Sequence, residues 1–118
     1  MKPLQPDILH CIGNCSLVPL RNIVPANGAR ILLKLESENP TGSMKDRMAL
    51  AMIEAAEADG RLAADGSVVE YTGGSTGVSL SLVCAVKGYP LHLVTSDGRW
   101  PAHRSITNCA PFIAALSR

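Results

Sequence analysis

The sequence predicts an α/β fold, a short parallel sheet with flanking helices. Two observations carry this. Residues 67–96 run strand, glycine-rich loop, helix, strand, the order of a βαβ unit with a parallel pair and a right-handed crossover. Apolar residues make up 47 % of the chain and aromatics only 3 %, so the core is built mostly of Ala, Leu and Val, as small helices against strands require. The 118 residues suffice for one small domain and not for two.

Residues 1–30 are Pro- and Asn-rich, with short apolar runs ("ILHCIG", "SLVPL"), and read as irregular lead-in structure. "ARILLKLE", Ala29 to Glu36, is a β-compatible apolar run and the first predicted strand. "SENPTG" supplies turn chemistry. Ser43 then reads as a helix N-cap and Asp46 as the N3 acid of a capping box. From Met44 to Asp59 the residues Met44, Met48, Met52, Ala55 and Ala56 recur at helical spacing and mark the expected apolar stripe. Gly60 is the expected stop. "SVVEY", Ser67 to Tyr71, reads as a strand and "TGGSTG", Thr72 to Gly77, as a flexible loop. "VSLSLVCAVK" is nearly uncharged, so it is expected to be a helix buried on most sides, ended by Gly88. "LHLVTS", Leu91 to Ser96, closes the unit as a strand.

The character then changes. Gly98 to Arg118 holds three Arg, no Lys, Asp or Glu, and the only Trp and Phe of the chain. That is a charge of +3, which leaves −2 on residues 1–97 of the net +1. The domain reading is therefore residues 1–97 as one unit and 98–118 as a divergent tail. A shifted reading frame or a truncation would produce such a change, and an ordinary basic extension is the alternative.

The small net charge argues against a nucleic-acid or membrane-surface role. "MKPLQPDILHCIG" lacks the apolar core of a signal peptide, and Val78 to Val86 is too short to span a bilayer, so a cytoplasmic protein is expected. Cys11, Cys15, Cys84 and Cys109 show no disulfide-scaffold spacing. Cys11 and Cys15 beside His10 do not complete the four ligands of a zinc site, so free thiols in a reducing compartment and no metal are expected.

Two stretches could carry chemistry. In "NPTGSMKDR", Lys45 falls in the first helical turn, at the positive end of the helix dipole, where a cation is mildly disfavoured. A Schiff-base or proton-transferring lysine needs a neutral amine. Spacing alone nevertheless favours a solvated surface lysine. In "TGGSTG", several backbone N–H groups and the hydroxyls of Thr72, Ser75 and Thr76 meet between a strand and a helix. That suits a phosphate or carboxylate, with an ordinary N-cap turn as the alternative. No Lys follows Gly77, so the loop is not a P-loop. A dinucleotide site is a further reading, with Asp97 placed as the ribose-binding acid 20 residues past Gly77. Against it, Ser79 stands where the last glycine of such a loop belongs.

Taken together, "IGNCSLVPL", "ILLKLESENPTGSMKDRMALAMIEAAEADGRL" and "VVEYTGGSTGVSLSLVCAVKGYPLHLVTSD" resemble successive blocks of the cysteine synthases, pyridoxal-phosphate enzymes of the tryptophan-synthase-β type (fold type II). The resemblance runs from about Ile12 to Asp97 and covers roughly the first third of such an enzyme. It implies a fragment of the fold type II architecture, with pyridoxal 5'-phosphate as cofactor. Lys45 would carry the cofactor in Schiff-base linkage. Thr72, Gly73, Gly74, Ser75 and Thr76 would bind the substrate carboxylate, with Ser75 also facing the cofactor. The implied reaction is β-replacement on an O-activated serine to give cysteine, with a small amino-acid substrate and a homodimer as the expected partners. Common family members carry Ser where Gly73 stands and Asn where Ser75 stands, so the substrate can differ. The family's phosphate-binding loop lies beyond residue 118, so little or no activity is expected of this chain alone. A non-catalytic remnant that holds a small carboxylate or phosphate is the alternative, and a dinucleotide-dependent oxidoreductase a more distant one.

Overall fold

A computed structural model describes residues 4–23, 25 and 27–94. The strand end at Thr95 and Ser96, Asp97, the 98–118 tail and Cys109 therefore lie outside the described residues. In chain order the elements are a 3-10 turn Ile8–Cys11, β1 Leu17–Pro19, β2 Leu32–Lys34, a second 3-10 turn Glu36–Glu38, α1 Lys45–Ala58, β3 Val68–Tyr71, α2 Ser75–Lys87 and β4 Leu91–Val94.

The βαβ expectation holds. β3 and β4 pair in parallel, Val68 opposite Leu91 and Tyr71 opposite Val94, with α2 between them in sequence. Gly88 ends α2 at φ +84°, a left-handed conformation that favours glycine. The burial expected of α2 is also observed, since Gly77 and every residue from Ser79 to Cys84 are buried. Leu80, Leu82, Val83 and Cys84 form one core with Ala49 and Ile53 of α1, Leu91 of β4 and Leu9 of the first 3-10 turn. At the far ends of the helices, Glu57 accepts from Lys87 Nζ at 2.7 Å and from the Tyr89 hydroxyl at 2.9 Å.

Three expectations need correction. The lead-in is not wholly irregular: it contains the Ile8–Cys11 turn and β1, which pairs antiparallel with β2 in a separate two-stranded ribbon. That ribbon is exposed along its whole length. The first predicted strand therefore shrinks to Leu32–Lys34 and does not join the parallel sheet. Pro19, with no N–H to donate, is tolerated because each strand of a two-stranded ribbon is an edge.

The second correction concerns the α1 stripe. The buried face is Asp46, Ala49 and Ile53, whereas Met44 is 56 % exposed and Met52 49 % exposed. Met48, Met52 and Ala55 line an open cleft of about 550 Å³ between α1 and β3. Helical spacing alone reports two apolar faces here, and the packed one is the face whose first member is a carboxylate.

Finally, "TGGSTG" is only half loop. Ser75, Thr76 and Gly77 are already the first turn of α2. Gly77 is buried against the sheet, where a Cβ would come within 2.7 Å of Thr72 Cγ2 and 3.3 Å of Leu93 Cδ1. Glycine is needed there for closeness of approach. At Gly73 and Gly74 an added Cβ meets nothing within 4 Å. Gly77→Ala is thus expected to cost about 1–3 kcal/mol of unfolding free energy, as overpacking does. Gly73→Ala should stay within about 0.5 kcal/mol of the parent. Denaturant unfolding of the two variants side by side checks both, and equal losses would refute the packing account.

Candidate functional site

Successive side chains on an α-helix point about 100° apart, so the three charged residues that open α1 face three directions. Asp46 turns into the molecule and has no exposed surface. It accepts from the Thr41 backbone N–H at 2.8 Å, from the Thr41 hydroxyl, and from the Ser79 hydroxyl of α2 at 2.5 Å. A buried carboxylate without such donors would be costly, and here the acceptor positions are filled from two other elements. The expected capping box is not formed: the residue that precedes α1 is Met44, not Ser43, and no side chain caps the helix from that position. Ser43 Oγ does accept from the Lys45 N–H at 3.1 Å, but the Asp46 side chain is engaged with Thr41 and Ser79 instead.

Arg47 turns toward the amino-terminal segment. Its Nε donates to Glu36 Oε2 at 2.9 Å and its Nη2 to Cys15 Sγ at 3.1 Å. Asn39, only 3 % exposed, completes this cluster. Its Oδ1 accepts from the Gly13 N–H at 2.8 Å, and its Nδ2 donates to Glu36 Oε2 at 2.6 Å and to the Glu36 carbonyl at 2.9 Å. Gly13 lies at φ +93°, and a Cβ there would meet Arg47 Nη1 at 2.9 Å. Residues 13–15 are in this way tied to the loop before α1 and to α1 itself.

Lys45 takes the third direction. It is half-buried at the first position of α1, and among the described residues its Nζ has no hydrogen-bond or ion-pair partner. The other two described lysines are paired: Lys34 with Glu36 at 3.4 Å and Lys87 with Glu57 at 2.7 Å. The Glu57 carboxylate raises the Lys87 pKa above the ordinary lysine value, against the opposing effect of burial.

The second predicted stretch opens α2. Gly74 precedes the helix in extended backbone, with no side chain capping the turn. Thr72 Oγ1 accepts from the Gly74 N–H at 3.3 Å, and the Gly77 N–H donates to the Gly74 carbonyl at 3.1 Å. The N–H groups of Ser75 and Thr76 have no acceptor among the described residues. Ser75 is exposed and Thr76 half-buried, so two N–H donors and two hydroxyls stand open at a helix N-terminus. Gly73 and Gly74 leave the approach to them clear. Such a donor set fits a carboxylate.

The two stretches are coupled through the Asp46–Ser79 bond, since Ser79 lies one helical turn after Ser75. Sequence reasoning singled out Lys45 and the residues 72–76 but missed Asn39, Glu36, Thr41 and Ser79. "SENP" reads as a breaker, and although Glu36 and Thr41 are local to Asn39 and Asp46, their other partners Gly13 and Ser79 lie 26 and 33 positions away in sequence. The one local signal was the acidic flank of the Asn-Pro turn. Among the described residues no group of three or more His, Cys, Asp or Glu is placed to hold a metal ion. No helix among them is long and apolar enough to cross a membrane.

Comparison with known proteins places these features in context. The family described as pyridoxal-phosphate dependent enzyme matches residues 8–109. A cysteine synthase of Staphylococcus aureus is 50 % identical over 88 residues, 75 % of this chain and 28 % of that protein. The crystal structure of O-acetyl serine sulfhydrylase isoform 3 from Entamoeba histolytica aligns with a TM-score of 0.74 at 39 % identity, over 79 % of this chain and 29 % of that one. A hydrogen sulfide-producing enzyme from Fusobacterium nucleatum aligns with a TM-score of 0.76 at 42 % identity, over 86 % of this chain and 33 % of that one. The chain spans between 28 % and 33 % of the length of these relatives.

The Asn39–Glu36–Arg47 cluster has a pH signature. The Arg47 hydrogen bond holds the Glu36 carboxyl below the ordinary glutamate range; desolvation opposes it, and Asn39 and Lys34 add to it. A carboxyl whose pKa falls on folding contributes stability above its unfolded pKa, and that contribution is lost as pH falls through the folded value. The thermal midpoint of the parent should therefore exceed that of Glu36→Gln at pH 7. The gap should narrow as pH drops below about 4. A gap that stays constant down to about pH 2 would refute the pairing.

Proposed function

The chain belongs to the pyridoxal-phosphate dependent enzyme family, with the fold type II architecture, and from that premise we propose that it carries the lysine and the substrate-carboxylate turn of a cysteine-synthase-like enzyme. The observation that carries the proposal is the Lys45 amine, which has no partner among the described residues. Of the described lysines it alone makes no ion pair with a described carboxylate. An amine outside any ion pair is available to a carbonyl carbon, whereas one held by a carboxylate is committed to that pair.

The residues present fit the cofactor in two respects. Among the described residues, Lys45 supplies an amine without a partner at a helix start, and the opening of α2 supplies N–H groups and hydroxyls without acceptors beside two glycines that leave room. Pyridoxal phosphate, when bound, supplies the electron sink that makes an α-proton removable. In the proposed reaction the Ser75 and Thr76 N–H groups hold the substrate carboxylate, aided by the Ser75 and Thr76 hydroxyls. Thr72, Gly73 and Gly74 shape the approach, with the Thr72 side chain bracing the turn through Gly74. Ser75 would also help hold the cofactor. Lys45 Nζ takes the α-proton. The substrate class is an O-activated serine, the product cysteine after a sulfur nucleophile adds, and the working form a homodimer. A second reading, a carboxylate-holding protein without chemistry, rests on the open α2 turn alone.

Borohydride trapping separates the two. The aldehyde joins a lysine amine with loss of water, and hydride then fixes the linkage. The chain has four lysines, Lys2, Lys34, Lys45 and Lys87. After incubation with pyridoxal phosphate and reduction, peptide mass mapping is expected to find the pyridoxyl group chiefly on Lys45, and Lys45→Ala to abolish that label. The 118-residue chain should show little or no β-replacement by itself. A label spread evenly over the four lysines would sink the Lys45 assignment, and cofactor-dependent cysteine formation would overturn the expectation of inactivity.

A further inference from the structure

We propose that Asp46 is a positioning residue, whose buried carboxylate sets the Lys45 amine in register with the carboxylate-holding turn of α2. The inference rests on the Lys45 reading above and goes beyond it, because Asp46 itself touches neither the proposed substrate nor the cofactor.

The geometry is specific. Asp46 is the neighbour of Lys45 on the first turn of α1 and is completely buried. Its Oδ1 takes the Ser79 hydroxyl at 2.5 Å, and Ser79 also has no exposed surface. Ser79 follows Ser75 by four residues and Thr76 by three, so it lies on the helix face beneath them. A carboxylate–hydroxyl bond fixes both distance and angle. It therefore sets how far along α2, and at what rotation, the start of α1 rests. The second oxygen takes the Thr41 N–H at 2.8 Å, which fixes the loop leading into Lys45. One carboxylate thus joins the loop before the lysine, the helix that bears it and the helix that bears the anion turn.

Cohesion alone does not call for this arrangement. The interface already has Ala49, Ile53, Leu80 and Val83 buried in it. A buried ionic group is often no more stabilising than an apolar one of similar volume. Apolar side chains resist separation but tolerate sliding, and sliding of α1 along α2 is the movement that would part Lys45 from Ser75 and Thr76. Misplacement by about 1 Å can cost on the order of a hundredfold in a reaction that depends on alignment.

The test uses the whole chain, pyridoxal phosphate with borohydride, and L-serine as competitor. A free amino acid removes the aldehyde from a lysine more effectively where its carboxylate is held close by. L-serine should therefore lower the pyridoxyl label on Lys45 on the order of tenfold more than the label on Lys34. In Asp46→Asn and in Ser79→Ala that selectivity should fall to about one, with the Lys45 label in the absence of serine retained. Ser79→Thr, which keeps the hydroxyl, should restore it. Circular dichroism confirms that each variant is folded, and Ser79→Ala decides the matter if Asp46→Asn is not. Selective protection that persists in the folded variants would overturn the positioning role. A parent chain with no preference for Lys45 would overturn the reading of Lys45 itself, a different result from failure of the positioning role.

Discussion

The Asp46 carboxylate sits where α1, α2 and the loop before α1 converge, and the arrangement of the described core follows from satisfying it. A carboxylate without exposed surface must have donors, and each one present belongs to a segment that then cannot move independently. Thr41 brings the loop and Ser79 brings α2. The same residue offsets the awkward placement of Lys45. An acid in the first turn interacts favourably with the positive end of the helix dipole, whereas a cation does not. The helix can hold a lysine at its start because its second residue is an acid.

Around this centre the charged block of α1 divides its labour by direction. Asp46 is committed inward, and Arg47 is committed to Glu36 and Cys15. What remains is Lys45, whose amine has no partner among the described residues. Residues that look like a single charged motif are therefore two anchors and one free group. Asn39 extends the outer anchor, because its amide holds both the Gly13 backbone and the Glu36 carboxylate. A substitution at Asn39 would loosen the amino-terminal segment and the path into α1 together.

Much of this was legible in the sequence where the signal is local. The βαβ unit follows from Val68–Tyr71, the uncharged helix and Leu91–Val94, each an apolar run bounded by glycine or proline chemistry. The stop at Gly88 follows from its freedom to adopt positive φ. Lys45 and the 72–76 turn stood out for the same reason, since each breaks a local expectation. The misses are non-local. β1 is three residues long and includes a proline, so neither length nor alternation marks it. The α1 face was misassigned because Met44, Met48 and Met52 keep helical spacing as faithfully as Asp46, Ala49 and Ile53 do. Only the presence of Ser79 and Thr41 makes a face that begins with a carboxylate the buried one.

The glycines of the α2 turn sharpen the distinction between packing and access. Gly77 is buried and crowded by Thr72 and Leu93, so its lack of a side chain serves the fold. Gly73 and Gly74 are exposed with open space where a Cβ would stand, so nothing in the packing requires them. Gly74 is extended and neither has positive φ, so backbone strain does not require them either. In the proposed site they leave unshielded the N–H groups of Ser75 and Thr76, which have no acceptor among the described residues. Side-chain volume at residue 73 is thus a variable the fold leaves open, and in the proposed site it faces the approach to the substrate's carboxylate. Enlarging it would leave α2, anchored through Gly77 and Ser79, where it is.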